Sequence, residues 1–227
     1  MNRIPGMMKM HIRAKWTSLL FPWVILFTSF IINLFISYLI NNQEPFYTGG
    51  LASIFFSMPV IGAVTLAHTF PFALGFCVRR RDYFLGTALA AVITNTITAV
   101  LLCLLSLVES ATDGWGVRMH FFNVPFINQF GPLGHLIIYL VLLLHLYFLG
   151  FAVSSLHRRF GPGGLFMFLA AALILLSASA LLLTHYRLWG PFALGFSAHF
   201  NLIVGCMALA ILLYAFLSYA LLRRATD

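Results

Sequence analysis

The stretch Phe70–Gly86, FPFALGFCVRRRDYFLG, ends one apolar run at three consecutive arginines and begins another within a few residues. Short loops that flank membrane spans keep their Lys and Arg on the cytoplasmic side. We therefore interpret Arg79, Arg80 and Arg81 as part of a cytoplasmic turn between two membrane-spanning helices. The organisation of the rest of the chain follows outward from this turn.

The composition indicates a protein that crosses a membrane several times. Of the 227 residues, 62% are hydrophobic and 8% are charged, whereas about 25% of the residues in a soluble domain are charged. Six intervals without Asp, Glu, Lys or Arg each exceed the ~20 residues that a helix needs to cross the hydrocarbon. These runs are apolar on every face and do not alternate, so they predict helices and not the strands of a barrel.

The predicted fold class is all-α, a polytopic membrane protein in which residues 1–227 form one domain of six transmembrane helices. With both termini in the cytoplasm, eleven of the 13 Lys and Arg lie inside the cell. The basic segment 1–15 is predicted to lie in the headgroup layer, with a solvated tail as the alternative. The predicted spans are Trp16–Ile40, Leu51–Val78, Tyr83–Val108, Pro132–Leu156, Gly164–His185 and His199–Leu222.

Several features qualify this outline. Pro59 and Pro71 fall inside the second span, where each releases a backbone carbonyl that must find another partner.

The aromatic segment Ser110–Gly131 is expected at the membrane interface. The apolar segment Tyr186–Ala198 is too short to cross and is expected to enter the outer leaflet and return. The pI near 9.9 reflects topology and gives no support to nucleic-acid binding.

The turn resembles that of a known family. A small residue at the end of a span (Gly75), the basic cluster Arg79–Arg81, an aromatic pair (Tyr83 and Phe84) and Gly86 are similar to the cytoplasmic turn after the second span of type-2 ATP-binding-cassette (ABC) transporter permeases. The resemblance implies that this turn contacts a separate ABC ATPase subunit. The residues expected in the ATPase-coupling turn are Arg79, Arg80, Arg81, Asp82 and Tyr83.

The same resemblance implies a function. The chain would be the permease subunit of an exporter in a plasma membrane, such as a bacterial inner membrane, and would move a peptide, drug or lipid-like substrate. It would work as a homodimer or paired with a second permease. ATP and Mg would bind to the partner ATPase, so this chain would hold no cofactor and would not itself be an enzyme.

The energy source can also be argued from the residues. The sequence contains no G-x-x-x-x-G-K-[ST] motif, so we expect no phosphate-binding loop and no use of ATP by this chain. All five acidic residues fall at span ends or in loops, and we expect none of them to be buried in the bundle. Carriers driven by protons or sodium usually bury such an acid in the membrane. The energy for transport is therefore expected to come from a partner.

Polar side chains near the middle of the membrane suggest a substrate route. At 1.5 Å per residue, His68, Asn95 and His145 lie about 15 to 18 Å from the cytoplasmic ends of their spans. Three alternatives stay open: separately satisfied interior groups, a haem iron held by the two histidines in a membrane redox subunit, and an anchor or assembly protein without transport. The three cysteines have no C-x-x-C spacing, so no metal site is predicted.

Overall fold

The computed structural model of the chain describes residues 20–40, 46–124, 130–191, 195 and 199–223. These residues form five long helices, all of them long and apolar enough to cross a membrane. The predicted all-helical class, with several helices able to span a membrane, is confirmed. The predicted interfacial segment 1–15 lies outside the described residues. The helices are α1 (Phe21–Ile40), α2 (Ala52–Gly75), α3 (Arg80–Ala111), α4 (Gly131–His185) and α5 (Phe200–Arg223).

Helix α4 is 55 residues long and is broken at one position. Gly161 has φ 71° and ψ −174°, values that a helix does not contain and that favour glycine. The helix resumes at Pro162, whose fixed φ suits a first helical turn. The predicted spans Pro132–Leu156 and Gly164–His185 left a loop between them, and the structure confines the break to one residue. We call residues 131–160 the first arm and residues 162–185 the second arm.

Helices α2 and α4 form the closest packing in the bundle. A Cβ atom at Gly62 would collide with the carbonyl oxygen of Tyr147, and one at Gly150 would collide with the carbonyl oxygen of Pro59. The two glycines therefore let the two backbones approach on both sides of the crossing, as small residues do between membrane helices. Helix α2 continues through both of its prolines, as predicted.

The second arm of α4 packs little against the rest of the described chain. Its large side chains are exposed around the whole circumference, as Phe166 at 74% and Leu175 at 71% show. Helix α5 is also largely exposed, although it lies beside the first arm, where Phe130 stacks on Phe200 and His145 lies against Tyr214. An apolar surface of this extent suits a hydrocarbon solvent.

The segment after α3 folds back over its end of the bundle. Residues Gly114–Arg118 form an irregular turn in which Trp115 and Gly116 have left-handed backbone angles, with φ 61° and 74°. Two short strands, β1 (Phe46–Tyr47) and β2 (Met119–His120), pair in parallel. We call residues 112–124 the cap. It packs mainly against protein, because the side chains of Phe121 and Phe122 are each 1% exposed. These two aromatic side chains are therefore part of the protein core, and the position of the segment at the membrane interface stays a prediction.

Candidate functional site

The turn between α2 and α3, residues 76–79, is short and tightly closed. The N–H of Cys77 donates to the carbonyl of Leu74 at 2.9 Å, and the N–H of Val78 donates to the carbonyl of Ala73 at 3.2 Å. Cys77 has φ 51°, so the chain reverses through a left-handed residue. We call this turn and the first residues of α3 the arginine turn, and the end of the bundle that carries it the arginine end.

The charged residues of the arginine turn differ in exposure. Arg79 and Arg81 are exposed, whereas Arg80 and Asp82 are half-buried. Asp82 lies in the first turn of α3, where a negative charge interacts favourably with the helix dipole. The two exposed arginines therefore give this surface its positive charge.

Arg80 is used inside the protein. Its Nη1 atom donates to the carbonyl oxygens of Leu222 and Arg223, at 3.1 and 3.2 Å. These carbonyls belong to the last turn of α5, which lacks helical N–H partners for them. Phe84 lies 5.5 Å from Tyr219 of the same helix, between ring centroids. Arg80 and Phe84 thus fasten the arginine turn to the end of α5.

Tyr83 is not on the surface. Its side chain is 1% exposed, and its hydroxyl lies 2.7 Å from the hydroxyl of Thr69 on α2. Its ring meets Phe70 edge-on at 5.3 Å. Tyr83 therefore joins α3 to α2, and its side chain cannot itself touch a partner. Of the five residues predicted for the coupling turn, Arg79 and Arg81 are the exposed ones.

The three polar residues predicted to line a route have different surroundings. His68 is exposed on α2, and the ring of His145 on α4 lies 5.4 Å from that of Tyr214 on α5. The Asn95 side chain is 3% exposed and donates from Nδ2 to the carbonyl of Ala91 in its own helix. This bond lies within α3 and uses one N–H of the amide group.

These positions bring no support to a shared site. In the part of the chain that the structure describes, no hydrogen bond or ring contact joins His68, Asn95 and His145. A haem iron ligated from both sides would need His68 and His145 to face each other across one cavity. Neither do the described residues bring together three or more His, Cys, Asp or Glu that could hold a metal ion.

A buried carboxylate at the opposite end is the site that the sequence did not reveal. Glu109 is 0% exposed, so the expectation that no acid is buried in the bundle is wrong. Its Oε2 atom accepts hydrogen bonds from Trp115 Nε1 at 3.1 Å and from the backbone N–H groups of Phe121 and Phe122 at 3.0 and 2.8 Å. Its Oε1 atom accepts one from the backbone N–H of Asn123 at 3.0 Å.

The position of Glu109 separates it from the acids of ion-driven carriers. Counted along α3 from Arg80, it lies about 44 Å away, a length greater than the ~30 Å thickness of a hydrocarbon layer. His120 Nδ1 lies 3.5 Å from its Oε1 atom, and the four N–H donors occupy the carboxylate. An ionised carboxylate is an acceptor only, and these donors suit it. Glu109 therefore organises the cap, and it does not present lone pairs to a passing ion.

A second set of polar contacts extends the cap into the bundle. The Ser106 hydroxyl donates to Asn123 Oδ1 at 2.6 Å, and Asn123 Nδ2 donates to the Ser110 hydroxyl at 2.9 Å. The Tyr139 hydroxyl on α4 donates to the carbonyl of Phe122 at 2.7 Å. The cap is thus bonded to α3 and to α4. Its only sequence signal was an acid beside a glycine-rich, aromatic segment.

Comparison with known proteins assigns no family: the chain matches no protein-family profile, no curated protein and no solved structure.

Proposed function

We propose that the chain is the membrane-spanning permease subunit of an ATP-driven exporter, of the type-2 ABC kind that its arginine turn resembles. Both arms of α4 cross the membrane in this proposal, which makes six spans with both termini in the cytoplasm. The membrane is a plasma membrane, such as a bacterial inner membrane. The chain acts as a pair of permeases with two copies of a separate ATPase, which binds the ATP and Mg.

The observation that carries the proposal is the construction of the arginine turn. Arg79 and Arg81 are exposed, while Arg80 is bonded to the end of α5 and Tyr83 to α2. Because these bonds tie the arginine turn to α2 and α5, its basic surface moves together with α2, α3 and α5. Transmission of a push over a distance needs a rigid element of this kind.

The absence of another energy source in the sequence supports the same proposal. No phosphate-binding motif occurs in the 227 residues, and the proposal assigns nucleotide hydrolysis to the partner ATPase. The one acid that the described residues bury, Glu109, accepts N–H bonds at the end of α3 that is far from the arginine turn. ATP-driven closure of the partner ATPases would push on Arg79 and Arg81 and tilt α2. The apolar bundle suits an amphiphilic substrate, whether peptide, drug or lipid-like.

The test is purification of the tagged chain from its native host in a mild detergent. We expect a co-purifying chain that contains a G-x-x-x-x-G-K-[ST] motif, together with ATP hydrolysis that vanadate inhibits. The variant R79Q/R81Q should lose both, because it removes the exposed positive charge and leaves nine Lys and Arg on the cytoplasmic side to hold the topology.

The matched control removes the same charge from the other side of the membrane. The variant R118Q/R187Q changes two arginines in the outer segments and should keep both the partner and the hydrolysis. Absorbance near 400 nm in a preparation without an ATPase would favour the haem-binding alternative. A purified chain with no such absorbance and no ATPase would favour the anchor or assembly protein. Either result would overturn the proposal.

A further inference from the structure

Pro71 leaves one carbonyl group of α2 without its helical donor. A proline has no N–H, so the carbonyl of Ala67, four residues earlier, receives no bond within the helix. Where a helix crosses hydrocarbon, an unsatisfied carbonyl is costly. The missing donor comes from another helix: Arg158 Nη2, on the first arm of α4, donates to the Ala67 carbonyl oxygen at 2.9 Å.

We propose that Arg158 is a positioning residue, which clamps the part of α2 that leads into the arginine turn. Its guanidinium carbon lies 6.0 Å from the ring centroid of Phe70, within reach of a cation–π contact. The same segment of α2 bonds to Tyr83 through Thr69. Helices α2, α3 and α4 therefore meet at this clamp.

The clamp also lies beside the break in α4. Arg158 precedes Gly161 by three residues, so a rotation of the first arm at the break moves the guanidinium. When it withdraws, the Ala67 carbonyl has lost its donor and the end of α2 is released. Arg158 is among the eleven Lys and Arg that the sequence analysis places in the cytoplasm, and a charge that only sets topology needs no particular hydrogen-bond acceptor.

The consequence for transport rests on the proposed function, since the arginine turn matters there as the docking surface of an ATPase. The clamp itself is tested on the isolated chain, with no partner and no ATP. If no ATPase co-purifies with the tagged chain, the clamp proposal is unaffected. If the clamp proposal fails, the co-purification test is unaffected.

A cysteine at Val78 reports the opening of this region. Val78 closes the arginine turn through its N–H and is 7% exposed, so a thiol at this position reacts slowly while the turn is closed. The measurement is the rate of N-ethylmaleimide labelling of V78C in nanodiscs of phosphatidylcholine and phosphatidylglycerol. The parent chain for this measurement carries serine in place of the native cysteines Cys77, Cys103 and Cys206.

The decisive comparison is between R158A alone and R158A combined with P71A. Loss of one hydrogen bond from a charged donor should raise the labelling rate of R158A about tenfold. P71A restores an N–H that bonds the Ala67 carbonyl within α2, and the exposed position of Pro71 means that little packing is lost. The double variant should therefore label within about twofold of P71A alone.

Two controls separate the clamp from general loosening. P59A changes the other proline of α2, which frees a different carbonyl, so R158A/P59A should label as fast as R158A. R159A removes the neighbouring arginine, whose guanidinium carbon lies over Phe160 at 5.2 Å, and should label like the parent.

The proposal is overturned if R158A labels at the parent rate, or if R158A/P71A labels as fast as R158A. If R158A cannot be purified, the yield of folded protein takes the place of the labelling rate. Recovery of the yield by P71A then supports the clamp, and no recovery overturns it.

Discussion

Replacing Glu109 by glutamine removes one acceptor oxygen from the centre of the cap while keeping its size. The carboxylate accepts four N–H bonds, three at Oε2 and one at Oε1. The best placement of glutamine puts its single oxygen at the Oε2 position. Its amide group then faces the backbone N–H of Asn123, and two donors meet without an acceptor.

The size of the effect follows from this geometry. One buried N–H without an acceptor costs about 1–3 kcal/mol, and the three bonds that remain lose the contribution of the negative charge. We expect E109Q to lower the free energy of unfolding by about 3 kcal/mol. For a chain of this length that corresponds to a fall in Tm of about 6–12 °C.

The assay is thermal unfolding in detergent, followed by tryptophan fluorescence. Trp115 donates to Glu109, so acrylamide quenching of its fluorescence, in a chain where the other tryptophans are phenylalanine, should also rise in E109Q. The matched control is D113N, which removes the same charge from an exposed acid four residues later. A Tm for E109Q within about 2 °C of that for D113N would refute the cap argument.

Two further substitutions test the packing of the bundle. G150A places a methyl group against the carbonyl oxygen of Pro59 and should lower the free energy of unfolding by about 1–3 kcal/mol. The control is G205A, because a Cβ atom at Gly205 would meet no atom within 4 Å. G205A should leave Tm unchanged or raise it. R80Q should weaken the last turn of α5 by about 1–3 kcal/mol, because it removes a charged donor from two carbonyl oxygens. Hydrogen exchange near residue 222 should rise in R80Q and not in R81Q; equal exchange in the two variants would contradict this role.

Helix positions were largely predictable, because an apolar run between charges has few alternatives in a membrane. The first helix ends at Ile40, as predicted, and the end of α4 at His185 was also predicted. The position of the break at Gly161 followed from its glycine and the proline after it. Its confinement to one residue did not follow, because a Gly-Pro-Gly-Gly run is equally compatible with a longer turn.

The contacts across the bundle could not be predicted. Burial of Glu109 depends on a cap that returns over its own helix, and no periodicity records that return. The bond from Arg158 to Ala67 joins residues 91 positions apart. The sequence did indicate that Pro71 frees a carbonyl, but the identity of its donor is decided by how α2 and α4 cross, which requires coordinates.

The most direct test of the central claim, that the arginine turn is where an ATPase docks, is photo-crosslinking in the native host. A photoreactive amino acid is placed at position 81, on the exposed face of the turn, and at position 187 in a separate chain as the control. We predict that position 81 forms an adduct with a chain that contains a phosphate-binding motif and that position 187 does not. Adducts from position 81 to lipid alone, in cells where the tagged chain is folded and inserted, would contradict the account.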